Sequence, residues 1–229
     1  MENRKYNPPS MRKMLDIVNY LFENNSDIPM SLIGSLSIQG FLSKRQTRWV
    51  SDIDIVVKDK NCAEKLIRRY EDSEYQTYYN QNLDKYAIYN WERGIHIDVY
   101  PGKIGRYSFD GNFWNRIICP EGYSFCYASP EDLISIKLYA YIDSSRGKYK
   151  HLVDIYTIIL GKANIDVLYL AERIKYLGKV LGVEAKYILE ILGEEKENIY
   201  SLFRLREIRM LKEKISYILD RLKKMLDNL

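Results

Sequence analysis

The sequence predicts an α+β protein: a first half built on a mixed or antiparallel sheet with flanking helices, then a second half that is mainly helical. Two observations carry this. Between residues 50 and 101, "DIDIVV", "YQTYYNQ", "KYAIYNW" and "IHIDVYP" are short runs rich in tyrosine or β-branched residues and bounded by Asn, Asp and Gly, the pattern of strands. From Ser129 onward the apolar residues recur instead at three- and four-residue spacing, the helical period. The texture changes there without a low-complexity linker or an internal repeat, so the expected division is 1–128 for the α+β part and 129–229 for the helical part.

In chain order, a first helix is expected from near Ser10 to Asn24, closed by the turn-rich "NNSDIP". "MSLIGSLSIQGF" follows, an apolar segment that meets Gly34-Ser35 and then reads as helix again. "DIDIVV" is a buried strand and "NCAEKLIRRYED" an amphipathic helix, after which the three tyrosine-rich strands complete the sheet. "SPEDLISIKLYAYI" then places Ser129 at an N-cap, Pro130 in the first turn and Asp132 three residues past the cap, a strong helix start. "KYKHLVDIYTIIL", "NIDVLYLAERIKYLG", "EAKYILEIL" and "NIYSLFRLREIRMLKEKISYILDRLKKML" supply the remaining helices.

With 46% of its 229 residues hydrophobic, the chain has ample material for a buried core. Its longest apolar runs, such as "LISI" and "YTIIL", fall far short of a membrane span, and the polar start "MENRKYNPPS" lacks a signal-peptide core. A cytoplasmic protein with no membrane partner is expected. Three cysteines, Cys62, Cys119 and Cys126, are an odd number without C-x-x-C spacing, which argues against a disulfide framework and a zinc ribbon and predicts buried or inert thiols. The net charge of +4 is concentrated: Ser201 to Leu229 holds eight Lys or Arg against four acids, leaving 27 of each sign elsewhere. A polyanion would be drawn first to that end, although the same charges would also serve to solvate the outer face of a helix.

Chemistry is concentrated in a few positions. In "WVSDIDIVVKD" the alternation of a strand puts Asp52 and Asp54 on one face, about 7 Å apart, where they repel each other. Inside a pocket, a bound cation is the usual reason for such a pair; at a strand end, water suffices. A third acid, Asp98, lies in "GIHIDVY", and three carboxylates on neighbouring strands can hold one or two divalent cations. Gly34 allows close backbone approach to a phosphate, and the Ser35 hydroxyl with nearby amides can hydrogen-bond it. Lys44, Arg45 and Arg48 of "LSKRQTRWV" are within reach of a triphosphate or are solvated loop charges. His96 shares the face of Asp98 and either orients that carboxylate or is a satisfied strand histidine. Most of the 21 tyrosines fall at apolar positions and read as packing rather than base stacking.

In this order, Gly34-Ser35, then "SDIDIVV" with Asp52 and Asp54, then "IHIDVY" with Asp98, the sequence resembles the DNA polymerase beta-like nucleotidyltransferase superfamily. The resemblance implies the nucleotidyltransferase-fold mixed sheet. It also implies Mg²⁺ or Mn²⁺ held by Asp52, Asp54 and Asp98, an NTP held by Gly34, Ser35 and Lys137, with Arg48 as the loop residue expected to reach it, and help from Asp98 in activating the attacking hydroxyl. The sixteen residues between Ser35 and Asp52 are more than the compact members have. "ASPEDLISIKLYAYIDSSRGKYKHLVDIY" further resembles the AbiEii-type, toxin-like branch, in which a lysine on one helix and an aspartate on the next complete the site: here Lys137 and Asp154. Lys137 is also open to a purely structural pairing with an acid. The implied reaction transfers NMP from an NTP to a hydroxyl acceptor and releases pyrophosphate. The toxin-like branch implies RNA, such as a tRNA 3′ end, as acceptor and a cognate antitoxin protein as partner; a protein hydroxyl and a small molecule such as an aminoglycoside are the other acceptors compatible with the sequence. The reading from another class is a non-catalytic nucleotide- or RNA-binding module on the same fold.

Overall fold

In the computed structural model, which describes residues 9–39, 50–71, 74–143, 148–161, 164–194, 200 and 205–227, the chain enters its first helix at a Ser10 cap. The Ser10 Oγ accepts from the Lys13 N–H at 3.4 Å, and α1 (Met11–Glu23) buries Met14, Val18, Leu21 and Phe22 along one face. Five strands follow: β1 (Met30–Ile33), β2 (Ile53–Val57), β3 (Gln76–Asn80), β4 (Lys85–Asn90) and β5 (Ile95–Pro101). They form one sheet in the order β1-β2-β5-β4-β3, in which β2 and β5 run parallel and every other pair antiparallel. The sheet is therefore mixed, as the sequence predicts.

Between β1 and β2 lies the short helix α2 (Gly34–Ile38), and α3 (Lys60–Glu71) carries the chain from β2 towards β3 and packs on β2 to β5. Alternation decides which side is core. Ile95, Ile97 and Val99 of β5 are buried, as are Ile53, Ile55 and Val57 of β2 and Ile88 of β4, on the face that receives Ala63, Leu66 and Ile67 of α3. The opposite face of β5 presents His96, Asp98 and Tyr100.

A small ribbon of β6 (Lys103–Ile104) and β7 (Tyr107–Ser108) and a helix α4 (Gly111–Asn115), capped by the Asp110 carboxylate, complete this unit. The tail of the unit corrects one expectation from the sequence. Cys119 and Cys126 are not separate thiols: they form a disulfide across the Ile118–Tyr127 bridge, while Cys62 is the free cysteine. The hairpin brings the two cysteines opposite each other, which neither their count nor their spacing reveals.

From Ser129 the chain forms a second compact unit. It contains α5 (Pro130–Asp143), α6 (Lys148–Leu160), α7 (Val167–Leu181), α8 (Ala185–Glu194) and α9 (Leu205–Asp227). The predicted cap is present: Ser129 Oγ accepts from the Asp132 N–H at 3.2 Å and donates to Asp132 Oδ2 at 2.8 Å. Helix α5 is the centre of the unit, buried from Pro130 to Tyr139 and packed on α6 and α7; α9 lies against α6, α7 and α8. Asp132 also meets Arg173 of α7, whose Nε lies 3.0 Å from its Oδ1, and accepts from the Tyr169 hydroxyl. Burial pushes the Asp132 carboxyl above its ordinary range against the opposing pull of Arg173, Ser129 and Tyr169. Lys214 of α9 donates to the carbonyls of Ile159, Leu160 and Gly161, closing the C-terminal end of α6.

The packing role expected of the tyrosines holds for only part of the set. Tyr107, Tyr139, Tyr156 and Tyr169 are buried, whereas Tyr20, Tyr78, Tyr123, Tyr149, Tyr187 and Tyr217 are half or more exposed. Among the described residues, no helix is long and apolar enough to cross a membrane.

Candidate active site

Strand β1 delivers the first part of the site. Its last residue, Ile33, pairs with Asp54 of β2, and the chain then turns at Gly34 with φ of +77° into α2. A β-carbon built at Gly34 would lie 2.0 Å from Asp54 Oδ2, so a side chain there and that carboxylate cannot both occupy their places. The glycine thus has a role that composition does not reveal: it makes room for Asp54. Ser35 follows it, half-buried, in the first turn of α2.

The parallel pairing of β2 with β5 sets Asp54 directly beside Asp98, and Asp52 enters from the residue before β2. Oxygens of Asp52, Asp54 and Asp98 all lie within 4.8 Å of one another. At that separation two carboxylates repel by on the order of 3 kcal/mol per pair at an effective dielectric near 20. A strand end open to water would let them spread apart; here strand pairing fixes two of them, and Asp98 is buried. Three converging hard oxygen donors suit Mg²⁺ or Mn²⁺.

Among the described residues a cation at the cluster is Lys85, whose Nζ donates to Asp98 Oδ2, while His96 Nε2 lies 3.0 Å from Asp98 Oδ1. Burial alone would raise the Asp98 carboxyl, but the hydrogen bonds of His96 and Lys85 and the Lys85 charge outweigh it and hold the group below the usual carboxylate range. Tyr100, two residues on along the same face, experiences the opposite effect. Burial first, and then the negative field of Asp54, Asp98 and Asp52, push its hydroxyl far above the ordinary value, so it stays protonated and donates to Asp54. The face shared by His96 and Asp98 follows from alternation in the sequence, and the same rule extends to Tyr100. Lys85 follows only from the β4–β5 register, which sets Ala87 opposite Asp98.

Lys44, Arg45 and Arg48 are outside the described residues. Lys137 on α5 and Asp154 on α6 belong to the helical unit, where the structure brings them together: Lys137 Nζ lies 2.8 Å from Asp154 Oδ2, with side chains 7% and 2% exposed. A cavity of about 530 Å³ in the first unit, lined by α1, α3 and Ile95, contains none of the three acids, so the carboxylates form a cluster outside that cavity.

No family model matches the sequence, and no curated protein matches it significantly. Solved structures do resemble the fold. JHP933 from Helicobacter pylori aligns over 97% of this chain and 97% of its own, at 16% identity and a TM-score of 0.51. A candidate nucleotidyltransferase from H. pylori aligns over 95% of this chain and 98% of its own, at 18% identity and a TM-score of 0.51. At such identities the likeness speaks for architecture, and it agrees with the mixed sheet, the flanking helices and the helical second half: the chain has the nucleotidyltransferase fold.

Proposed function

We propose that this protein is a divalent-cation-dependent nucleotidyltransferase that moves NMP from an NTP to a hydroxyl acceptor. The observation that carries the reading is the convergence of Asp52, Asp54 and Asp98 within 4.8 Å, on this fold, against a glycine that leaves Asp54 its room. Mg²⁺ or Mn²⁺ held by these carboxylates would neutralise the triphosphate and present its α-phosphorus. The acceptor oxygen bonds to that phosphorus, the bond to the bridging oxygen breaks, and pyrophosphate leaves. Asp98 is the carboxylate suited to draw the proton from the acceptor hydroxyl, with Lys85 and His96 holding its oxygens in position. Gly34, Ser35, Arg48 and Lys137 bind phosphate oxygens in this reading, and Asp154 holds Lys137 by its ion pair.

The finer parts rest on the sequence resemblance to AbiEii-type proteins: RNA or a tRNA 3′ end as acceptor, a toxin role, a cognate antitoxin as partner, and completion of the site by the 129–229 unit; a cytoplasmic location, where NTPs and RNA are found, rests on the short apolar runs of the sequence. The test is incubation of the protein with each α-³²P-labelled NTP, Mg²⁺ or Mn²⁺ and mixed cellular RNA and protein, beside Asp52→Ala/Asp54→Ala. Label on a macromolecule with the protein, and none with the double variant, is expected. No transfer, together with no cation-dependent thermal stabilisation by any NTP, would overturn the reading.

A further inference from the structure

The sheet face that carries Asp98 also carries a row of aromatic rings that the carboxylate chemistry does not require. Register pairs Tyr89 with His96, Ala87 with Asp98 and Tyr78 with Ala87, so Tyr78, Tyr89, His96 and Asp98 share one face. His96 and Tyr89 stack with centroids 4.5 Å apart, and Tyr89 and Trp91 stack at 5.0 Å with planes 7° apart. At the inner end His96 Nε2 touches Asp98 Oδ1 at 3.0 Å. At the outer end Trp91 is 49% exposed, yet its indole N–H is fixed on Gln76 Oε1 at 3.1 Å, and Tyr78 nearby is 60% exposed.

Single exposed aromatics are ordinary, but an ordered stack that starts in solvent and ends on a candidate catalytic carboxylate is a binding surface. Its chemistry selects among acceptors. A polycationic small molecule needs carboxylates, and beyond the three-acid cluster this face of β3, β4 and β5 adds none, Asp98 being already bonded to Lys85 and His96. A planar base needs a ring to lie on, and any base can stack on an aromatic side chain.

Building on the transferase reading above and its RNA acceptor, we propose that Trp91 and Tyr78 form the platform on which the bases behind the terminal hydroxyl of a single-stranded RNA end stack while the hydroxyl reaches Asp98. The 3′ oxygen bonds to the α-phosphorus of the NTP, its proton passes to the site carboxylate, and pyrophosphate leaves, so the chain grows by one nucleotide. Trp91 and Tyr78 are binding residues for the acceptor and have no part in holding the NTP.

Three measurements on the full chain test this: anisotropy binding of a random-sequence pool of labelled oligoribonucleotides with free 3′ hydroxyls, binding of the same backbone with abasic sugars, and thermal stabilisation by Mg²⁺ and NTP. Trp91→Ala/Tyr78→Ala is expected to weaken RNA binding about tenfold or more, the effect of losing at least one base stack. Trp91→Phe should restore much of it, the abasic strand should bind the wild type as weakly as RNA binds the double variant, and stabilisation by NTP should not change. Equal RNA binding by the wild type and the double variant, equal binding of the abasic strand, or no RNA binding by the wild type would overturn the proposal. Loss of NTP stabilisation in the wild type would strike the transferase reading instead, so the two failures are distinguishable.

Discussion

At residue 34 the chain requires a glycine for two independent reasons, a φ of +77° and the Asp54 carboxylate 2.0 Å from where a β-carbon would stand. Gly34→Ala should therefore cost at least ~1 kcal/mol through the backbone alone. The larger effect falls on Asp54, which must move aside, and a displacement near 1 Å at a reacting centre costs on the order of 10²-fold in rate. The expected outcome is a folded protein, by circular dichroism, with label transfer reduced by about that factor. Transfer at the wild-type rate would show that Asp54 does not act from its present position. Asp52 and Asp54 were legible as a pair because strand alternation assigns faces without a structure, whereas Asp98 joined them only through the resemblance. Lys85 was not, because a lysine at the start of one strand meets an aspartate of the next only once the register between them is known.

At the scale of elements, the sequence marked the start of α5 correctly, through Ser129, Pro130 and Asp132, but not the second use of Asp132 as the partner of Arg173. That partner lies 41 residues away on α7, and local patterning says nothing about it. Arg173 is 2% exposed, so Asp132→Ala would remove the carboxylate 3.0 Å from a buried guanidinium's Nε and should destabilise the protein by about 3–5 kcal/mol, measured by urea unfolding. The disulfide was hidden for a similar reason, since a hairpin rather than a motif pairs Cys119 with Cys126. Its hairpin braces β1: the Leu32 N–H donates to the Cys126 carbonyl at 2.8 Å, and the Ala128 N–H donates to the Leu32 carbonyl at 2.9 Å, two residues before Gly34. With a sequence separation of 7, closing this loop is worth about 2–3 kcal/mol in the chain-entropy account. Cys119→Ser/Cys126→Ser, or reduction of the wild type, should lower the melting temperature by roughly 5–10 °C. An unchanged melting temperature would mean that the hairpin is held by its backbone hydrogen bonds alone.

For the molecule as a whole, the division into an α+β part and a helical part could be read from the hydrophobic period, because the period changes from two to between three and four residues at Ser129. Strand order could not, since the β2–β5 pairing that sets Asp54 beside Asp98 joins segments on either side of α3 and a hairpin. The Lys137–Asp154 pair lies between these cases: the sequence named both residues, and the structure shows them bonded at 2.8 Å in the helical unit. A buried ion pair admits a structural and a catalytic account, and stability alone cannot separate them. Lys137→Met takes from the buried Asp154 carboxylate the ammonium that lies 2.8 Å from it and should cost about 3–5 kcal/mol. Lys137→Met/Asp154→Leu removes both charges and should regain most of that loss, because a well-packed apolar pair commonly replaces a buried ion pair at little cost. If Lys137 also stabilises charge on the phosphates, the double variant will unfold like the wild type yet transfer label at least about 10²-fold more slowly. That is the expected result. A double variant restored in both stability and transfer would assign the pair to the fold alone and leave the reaction to the carboxylate cluster and its neighbours.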